Sequence, residues 1–146
     1  MNAIVVGTDG SQAAEKAVRQ AAEIARREGA SIHLVAAYRH GGVVRERLGD
    51  SARSEPVDLR EVADGVLARA GGVVEGLGVP FELVAREGDP AEVLLDVARE
   101  QGAELIIVGD KGSSGVGRFP LGSVAQKVSH HAPVSVMIIR GAGTSG

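Results

Sequence analysis

The stretch Ile106-Ile107-Val108-Gly109-Asp110-Lys111-Gly112, followed after nine residues by Gly122-Ser123-Val124, decides how this 146-residue chain is read. Ile106, Ile107 and Val108 form a short apolar, β-branched run of buried-strand type. Gly109 and Gly112 free the backbone after it, and Gly122-Ser123 opens the next apolar-periodic segment, a helix. A strand, a glycine loop and a helix in that order offer backbone N–H groups to an anion from both ends of the loop. The first N–H groups of a helix lack partners and carry partial positive charge, so phosphate oxygens are favoured there, with the Ser123 hydroxyl as a further donor. A single glycine in a glycine-rich chain would only make a turn; the whole spacing points to a phosphate cradle.

Outward from this stretch, short β-rich runs alternate with longer helical patterns, the signature of a parallel sheet covered by helices on both faces. The strands are expected near Ala3 to Thr8, Ser31 to Ala37, Pro80 to Ala85, Glu104 to Gly109 and Val134 to Ile139. Ser11 to Glu28 carries Ala14, Val18, Ala21, Ala22 and Ala25 on one stripe, with Ser11 as N-cap and Gly29 as stop. Asp58 to Gly76 repeats the pattern through Val62, Ala63, Val66, Ala70, Val73 and Val74, and Asp58 with Glu61 reads as a capping box. Asp89-Pro90-Ala91-Glu92 sets an N-cap, a first-turn proline and an N3 acid ahead of Val93, Leu94, Val97 and Ala98. The last helix runs from Ser123 to about His131, and Pro133 prevents its continuation. Five strands so connected suit an open doubly wound sheet, whose ligand sits at the carboxyl ends of the strands where the winding reverses. The polar, glycine-bearing segment from Arg39 to Pro56 reads as a loop, either a mobile flap near the ligand or a plain insertion.

Composition narrows the function classes. The net charge is −3 with no long basic run, which argues against nucleic acid as a partner. Cysteine is absent, which excludes thiolate metal sites and thiol catalysis and fits a reducing compartment. Ala3 to Gly7 is too short for a signal segment and no apolar run approaches the roughly 18 residues of a membrane span, so a cytoplasmic location without membrane contact is expected. Aromatic residues are limited to Tyr38, Phe81 and Phe119, so a purine ring would have to lie between aliphatic side chains and bond to backbone groups. One domain over residues 1–140 accounts for the length, and Gly141 to Gly146 reads as a flexible tail.

The spacing Gly109-x2-Gly112-x9-Gly122-Ser123 resembles the ATP-binding signature of the universal stress protein family. The resemblance runs from Ala3 to Arg140 and includes the opening Val6-Gly7-Thr8-Asp9-Gly10-Ser11 and the closing strand Val134-Ser135-Val136-Met137-Ile138-Ile139. It implies a Rossmann-like α/β domain with a five-stranded parallel sheet in the order 3-2-1-4-5, which makes strands one and four neighbours at the switch point. It also implies a stress-response regulator binding ATP, or AMP or cyclic AMP, with Mg2+. By position, Gly7 and Thr8 become neighbours of base and sugar, and Ala36 the residue whose backbone meets adenine. Val108 and Val124 flank base or phosphates unless they serve packing alone, and Gly109, Gly112, Gly122 and Ser123 form the cradle. Asp9 corresponds to a contact with the phosphate-bound metal or with ribose or base; the alternative is capping of the helix from Ser11. The apolar last strand, Val134 to Ile139, falls at the sheet edge, where relatives pair with a second copy, so a homodimer is expected.

Other chemistries find less support. Lys111 and Arg118 could neutralise phosphate charge or be solvated loop cations. No Gly-x4-Gly-Lys-Ser/Thr sequence exists, and Gly115-x-Gly117 lacks the third glycine of a dinucleotide fingerprint, Pro120 standing in its place. His33 lies in a strand pattern and His40 in a loop. His130 and His131 point about 100° apart and suit a helix C-terminus better than a metal. No general base or activated nucleophile can be assembled, so binding is favoured over fast hydrolysis, with a slow ATPase or phosphotransfer enzyme as the alternative. A receiver-type phosphorylation switch would need an Asp at the end of strand three, which instead closes Val84-Ala85-Arg86.

Overall fold

Residues that alternate along each central strand go to opposite sides of one sheet, and both sides are buried. The computed structural model describes residues 1–39, 43–48, 51–56, 58–111 and 121–141. In chain order these form β1 (Ala3–Gly7), α1 (Gln12–Glu28), β2 (Ser31–Tyr38), β3 (Val43–Leu48), β4 (Ser51–Pro56), α2 (Leu59–Gly76), β5 (Phe81–Glu87), α3 (Pro90–Glu100), β6 (Leu105–Gly109), α4 (Ser123–His131) and β7 (Ser135–Ile139). Five strands make one sheet in the order β5-β2-β1-β6-β7, which is 3-2-1-4-5 when these strands are numbered alone, and every neighbouring pair is parallel.

On one face Ile4 and Val6 of β1, Ile32 and Leu34 of β2 and Leu105 and Ile107 of β6 pack against Ala17, Val18, Ala21 and Ala25 of α1 and Leu67 and Val74 of α2. On the other, Val5, Val35, Ile106 and Val108 pack against Leu94, Val97 and Ala98 of α3 and Ala125 and Val128 of α4. This double covering explains why the strand sequences are continuously apolar. Removing one such side chain, Ile107 for example, would cost about 2–5 kcal/mol.

Helix starts follow local chemistry. The Ser11 hydroxyl accepts from Ala14 N–H at 3.2 Å, the Asp58 carboxylate from Arg60 N–H at 3.0 Å, and the Asp89 carboxylate from Glu92 N–H at 3.1 Å. Gly29 ends α1 at φ 67°, where a side chain would be strained.

The segment Arg39 to Pro56 corrects the expected loop. Its backbone pairs β3 with β4 as an antiparallel hairpin, from Val43 opposite Pro56 to Leu48 opposite Ser51. The hairpin forms a separate two-stranded sheet. The strand signal of hydrophobic alternation is missing from Ser51-Ala52-Arg53-Ser54-Glu55-Pro56. Gly49-Asp50, a dipeptide of hairpin-turn type, stands between the two strands in the sequence.

Candidate functional site

A cleft opens at the carboxyl ends of β1, β2 and β6, on the α3 and α4 side of the sheet. It holds about 770 Å³ of empty space, open solvent at its mouth included. The period of two places its walls. Gly7 follows Val5 on this face, Ala37 follows Val35 on β2, and Val108 follows Ile106 on β6. Pro90 and Leu94 of α3 and Ser123, Val124 and Ala125 of α4 close the sides, and Thr8, Asp9, Asp110 and Lys111 stand where the strands turn out.

Of the residues singled out from sequence, the structure brings Gly7, Thr8, Asp9, Val108, Gly109, Gly122, Ser123 and Val124 together in this one cleft. Gly112 and Arg118 lie outside the described residues, as do His40 and the tail beyond Gly141. Ala36 is not among the residues that line this cleft. Its side chain packs into the opposite core, and even-numbered residues of β2 turn their backbone groups toward β5, as Ile32 N–H to Pro80 and Tyr38 C=O to Gly88 show. Odd-numbered residues turn toward β1: Ser31 N–H donates to Asn2 C=O and Val35 C=O accepts from Thr8 N–H at 2.9 Å. The β1 ladder ends with that last bond. Ala37 is the next odd residue, so its N–H and C=O open into the cleft, where it is a wall. Alternation read from the β1 pairing could have found it.

Gly109 is in place for a different reason from the one its sequence context suggests. It is not among the glycines with positive φ. A Cβ there would stand 2.8 Å from the Ala13 Cβ and 2.9 Å from the Ala13 carbonyl carbon, so the first turn of α1 rests directly on the end of β6. At Gly7 a Cβ would meet Leu94 Cδ1 at 2.9 Å.

At the start of α4, Gly122 is the N-cap and supplies no capping side chain. Its own N–H donates to the Asp110 carbonyl at 2.6 Å, and its carbonyl accepts from Gln126 N–H at 3.0 Å. The N–H groups of Ser123, Val124 and Ala125 have no acceptor within the helix and open, with the Ser123 hydroxyl, toward the cleft. Gln126 Nε2 donates to Leu121 C=O at 2.9 Å and steadies the approach to the helix.

Asp9 does not cap α1 directly; Ser11 does, while Asp9 Oδ1 accepts the Ser11 N–H at 2.9 Å and shapes the turn. Behind the cleft, Lys127 of α4 meets Asp89 at 3.2 Å and Glu92 at 3.5 Å, joining α4 to the start of α3. The Glu92 N–H, then the Lys127 ammonium, hold the Asp89 carboxyl below its ordinary value. His33 is buried on β2 at 3.4 Å from Glu82 and is not a cleft wall, and His130 and His131 occupy the last turn of α4.

Comparison with known proteins agrees with this geometry. The family model for the universal stress protein family matches residues 1–140. A universal stress protein of Thermus aquaticus is 36% identical, with 94% of this chain and 97% of that protein covered. A universal stress protein solved in complex with cAMP superposes with a TM-score of 0.75 at 26% identity, covering 97% and 98% of the two chains. The universal stress protein of Archaeoglobus fulgidus in complex with dAMP gives 0.70 at 28% identity, covering 95% and 98%. A chain matched over its whole domain, in sequence and in strand order, belongs to the universal stress protein family.

Proposed function

We propose that the cleft binds an adenine nucleotide and that the protein acts as a nucleotide-occupied regulator of the stress response. The observation that carries this reading is the start of α4: three first-turn N–H groups and a hydroxyl, with no capping side chain, at the mouth of a cleft with apolar walls. The apolar walls Val35, Ala37, Leu94 and Val108 suit a purine ring, and the Ala37 N–H and C=O suit the acceptor-donor edge of adenine. Relatives of the same fold solved with cAMP and dAMP support the same ligand class. ATP is the fullest ligand the anion end would take, with AMP and cyclic AMP as shorter ones.

Among the described residues no group of three His, Cys, Asp or Glu forms a metal cage. The donor set fits a Mg2+ ion carried by the phosphates, with Asp9 as its protein carboxylate. Such an ion would offset phosphate charge beside Asp9. The edge strand β7, with Val136, Met137, Ile138 and Ile139 half-buried in one chain, would pair with a second copy.

Titration calorimetry with ATP, AMP, cyclic AMP and GTP, each with and without Mg2+, tests this. Adenine nucleotides should bind and GTP should bind at least about tenfold more weakly, since its edge reverses donor and acceptor against Ala37. Equal affinity for GTP, or no binding by any nucleotide, would overturn the reading. Steady phosphate release that disappears in Asp9→Ala would move it to a slow ATPase.

A further inference from the structure

Asp110 is a buried carboxylate, 7% exposed, next to a site argued to take an anion. Burying such a group is costly unless it is hydrogen-bonded. Its bonds run in three directions. The Asp110 carbonyl accepts the Gly122 N–H that sets the start of α4, and the Asp110 N–H donates to Ile139 C=O at the end of β7, at 2.9 Å. The carboxylate Oδ1 accepts the Gly141 N–H at 3.0 Å, so Asp110 grips the chain on both sides of Arg140. The passage is tight: a Cβ at Gly141 would lie 3.2 Å from both the Ala13 Cβ and Asp110 Oδ1. Ala13 also bears on Gly109, so β6, α1, α4 and the chain just after β7 meet around Asp110 and Ala13.

From this we infer that Asp110 is a positioning residue that fixes the anion end of the cleft and the course of the chain beyond β7 together, so that an adenine nucleotide in the cleft tightens the tie to Gly141. The inference rests on the nucleotide reading of the cleft. A phosphate on the N–H groups of Ser123, Val124 and Ala125 holds α4 in the place that the Gly122 to Asp110 bond requires. That bond fixes the Asp110 backbone, and with it the carboxylate that Gly141 needs. Linkage makes the effect reciprocal: whatever loosens Gly141 weakens the nucleotide by the same factor. Occupancy of the cleft is thereby read at the edge strand, where a partner would be met.

Amide hydrogen exchange resolved at Gly141 and Gly122 tests it on the full chain. In Asp110→Ala without ligand, Gly141 should exchange about tenfold faster or more than in wild type, because a hydrogen bond to a charged acceptor is lost. Gly122, which donates to the backbone carbonyl, should exchange faster by no more than the factor that links the two sites, far less than Gly141. Asp110→Asn keeps an acceptor and should restore most of the Gly141 protection. Saturating AMP should slow Gly141 exchange several-fold in wild type, an effect absent from Asp110→Ala, and calorimetry should show AMP weakened by that same factor in Asp110→Ala. Unchanged Gly141 exchange in both variants, or AMP that binds wild type without altering Gly141, would overturn the inference. The wild-type arm needs no variant to fold. If AMP fails to bind wild type while Asp110→Ala still frees Gly141, the coupling is overturned through the nucleotide reading, and the tie itself stands.

Discussion

Gly109 and Ser123 stand at opposite ends of the loop that first marked this chain, and they do different work. Gly109 has no side chain because α1 leaves no room for one: the nearest obstacles are the Cβ and the carbonyl carbon of Ala13, neither of which can rotate away. Gly109→Ala should therefore lower stability by about 1–3 kcal/mol, measured by urea unfolding; an unchanged midpoint would show that the α1 contact is looser than described. Because that variant weakens the whole domain, it is a poor probe of binding. Ser123→Ala is the better one, since its exposed hydroxyl is a cleft wall and its loss leaves the Gly122 cap intact. It should weaken nucleotide binding about tenfold, the value of one hydrogen bond to a charged acceptor, with stability unchanged. The glycine spacing was legible in the sequence, but the reason for Gly109 was not, because the contact that requires it comes from a distant part of the chain. That Ala37 and not Ala36 is the cleft wall was hidden for a related reason: which residues of β2 turn toward β1 depends on pairing register, and only the position of β1 sets that.

At the scale of elements, the strands and helices of the main sheet were readable because capping and periodicity agreed. Ser11, Asp58 and Asp89 cap as their positions suggested, and the apolar stripe of α1 and, through Ala63, Ala70, Val73 and Val74, that of α2 face the same layer, whereas Val62, read as part of the α2 stripe, is exposed. The β3–β4 hairpin was not readable, since hydrophobic alternation is missing from Ser51-Ala52-Arg53-Ser54-Glu55-Pro56. The start of α3 matters for the cleft because Pro90 is one of its walls, and Asp89 holds that turn through the Glu92 N–H and Lys127. Asp89→Ala should cost about 1 kcal/mol near neutral pH, the usual value of an N-cap. The Asp89 carboxyl is held below its ordinary value of 3.8, so its contribution is complete above that value and is lost as pH falls through the lowered one. Urea titrations of wild type and Asp89→Ala between pH 7 and pH 2 should give curves that converge only in the acid range below about 3.8. A difference that already vanishes near pH 6 would assign the effect to another group.

For the whole molecule, the sheet puts its apolar last strand at an edge and the cleft at the reversal of winding, where β1 and β6 are neighbours. Light scattering on the purified protein should report a dimer, and Val136→Lys should give a folded monomer, because a charge on the paired edge blocks strand addition. A wild-type monomer at micromolar concentration would remove β7 as the interface. None of the described helices is long and apolar enough to cross a membrane. The central claim is that an adenine nucleotide lies between the ends of β1 and β2 and the start of α4. Amide chemical-shift mapping on addition of AMP tests it most directly: the largest shifts should fall on Thr8, Ala37, Ser123, Val124 and Ala125, whereas shifts confined to other faces of the domain, or none, would contradict it.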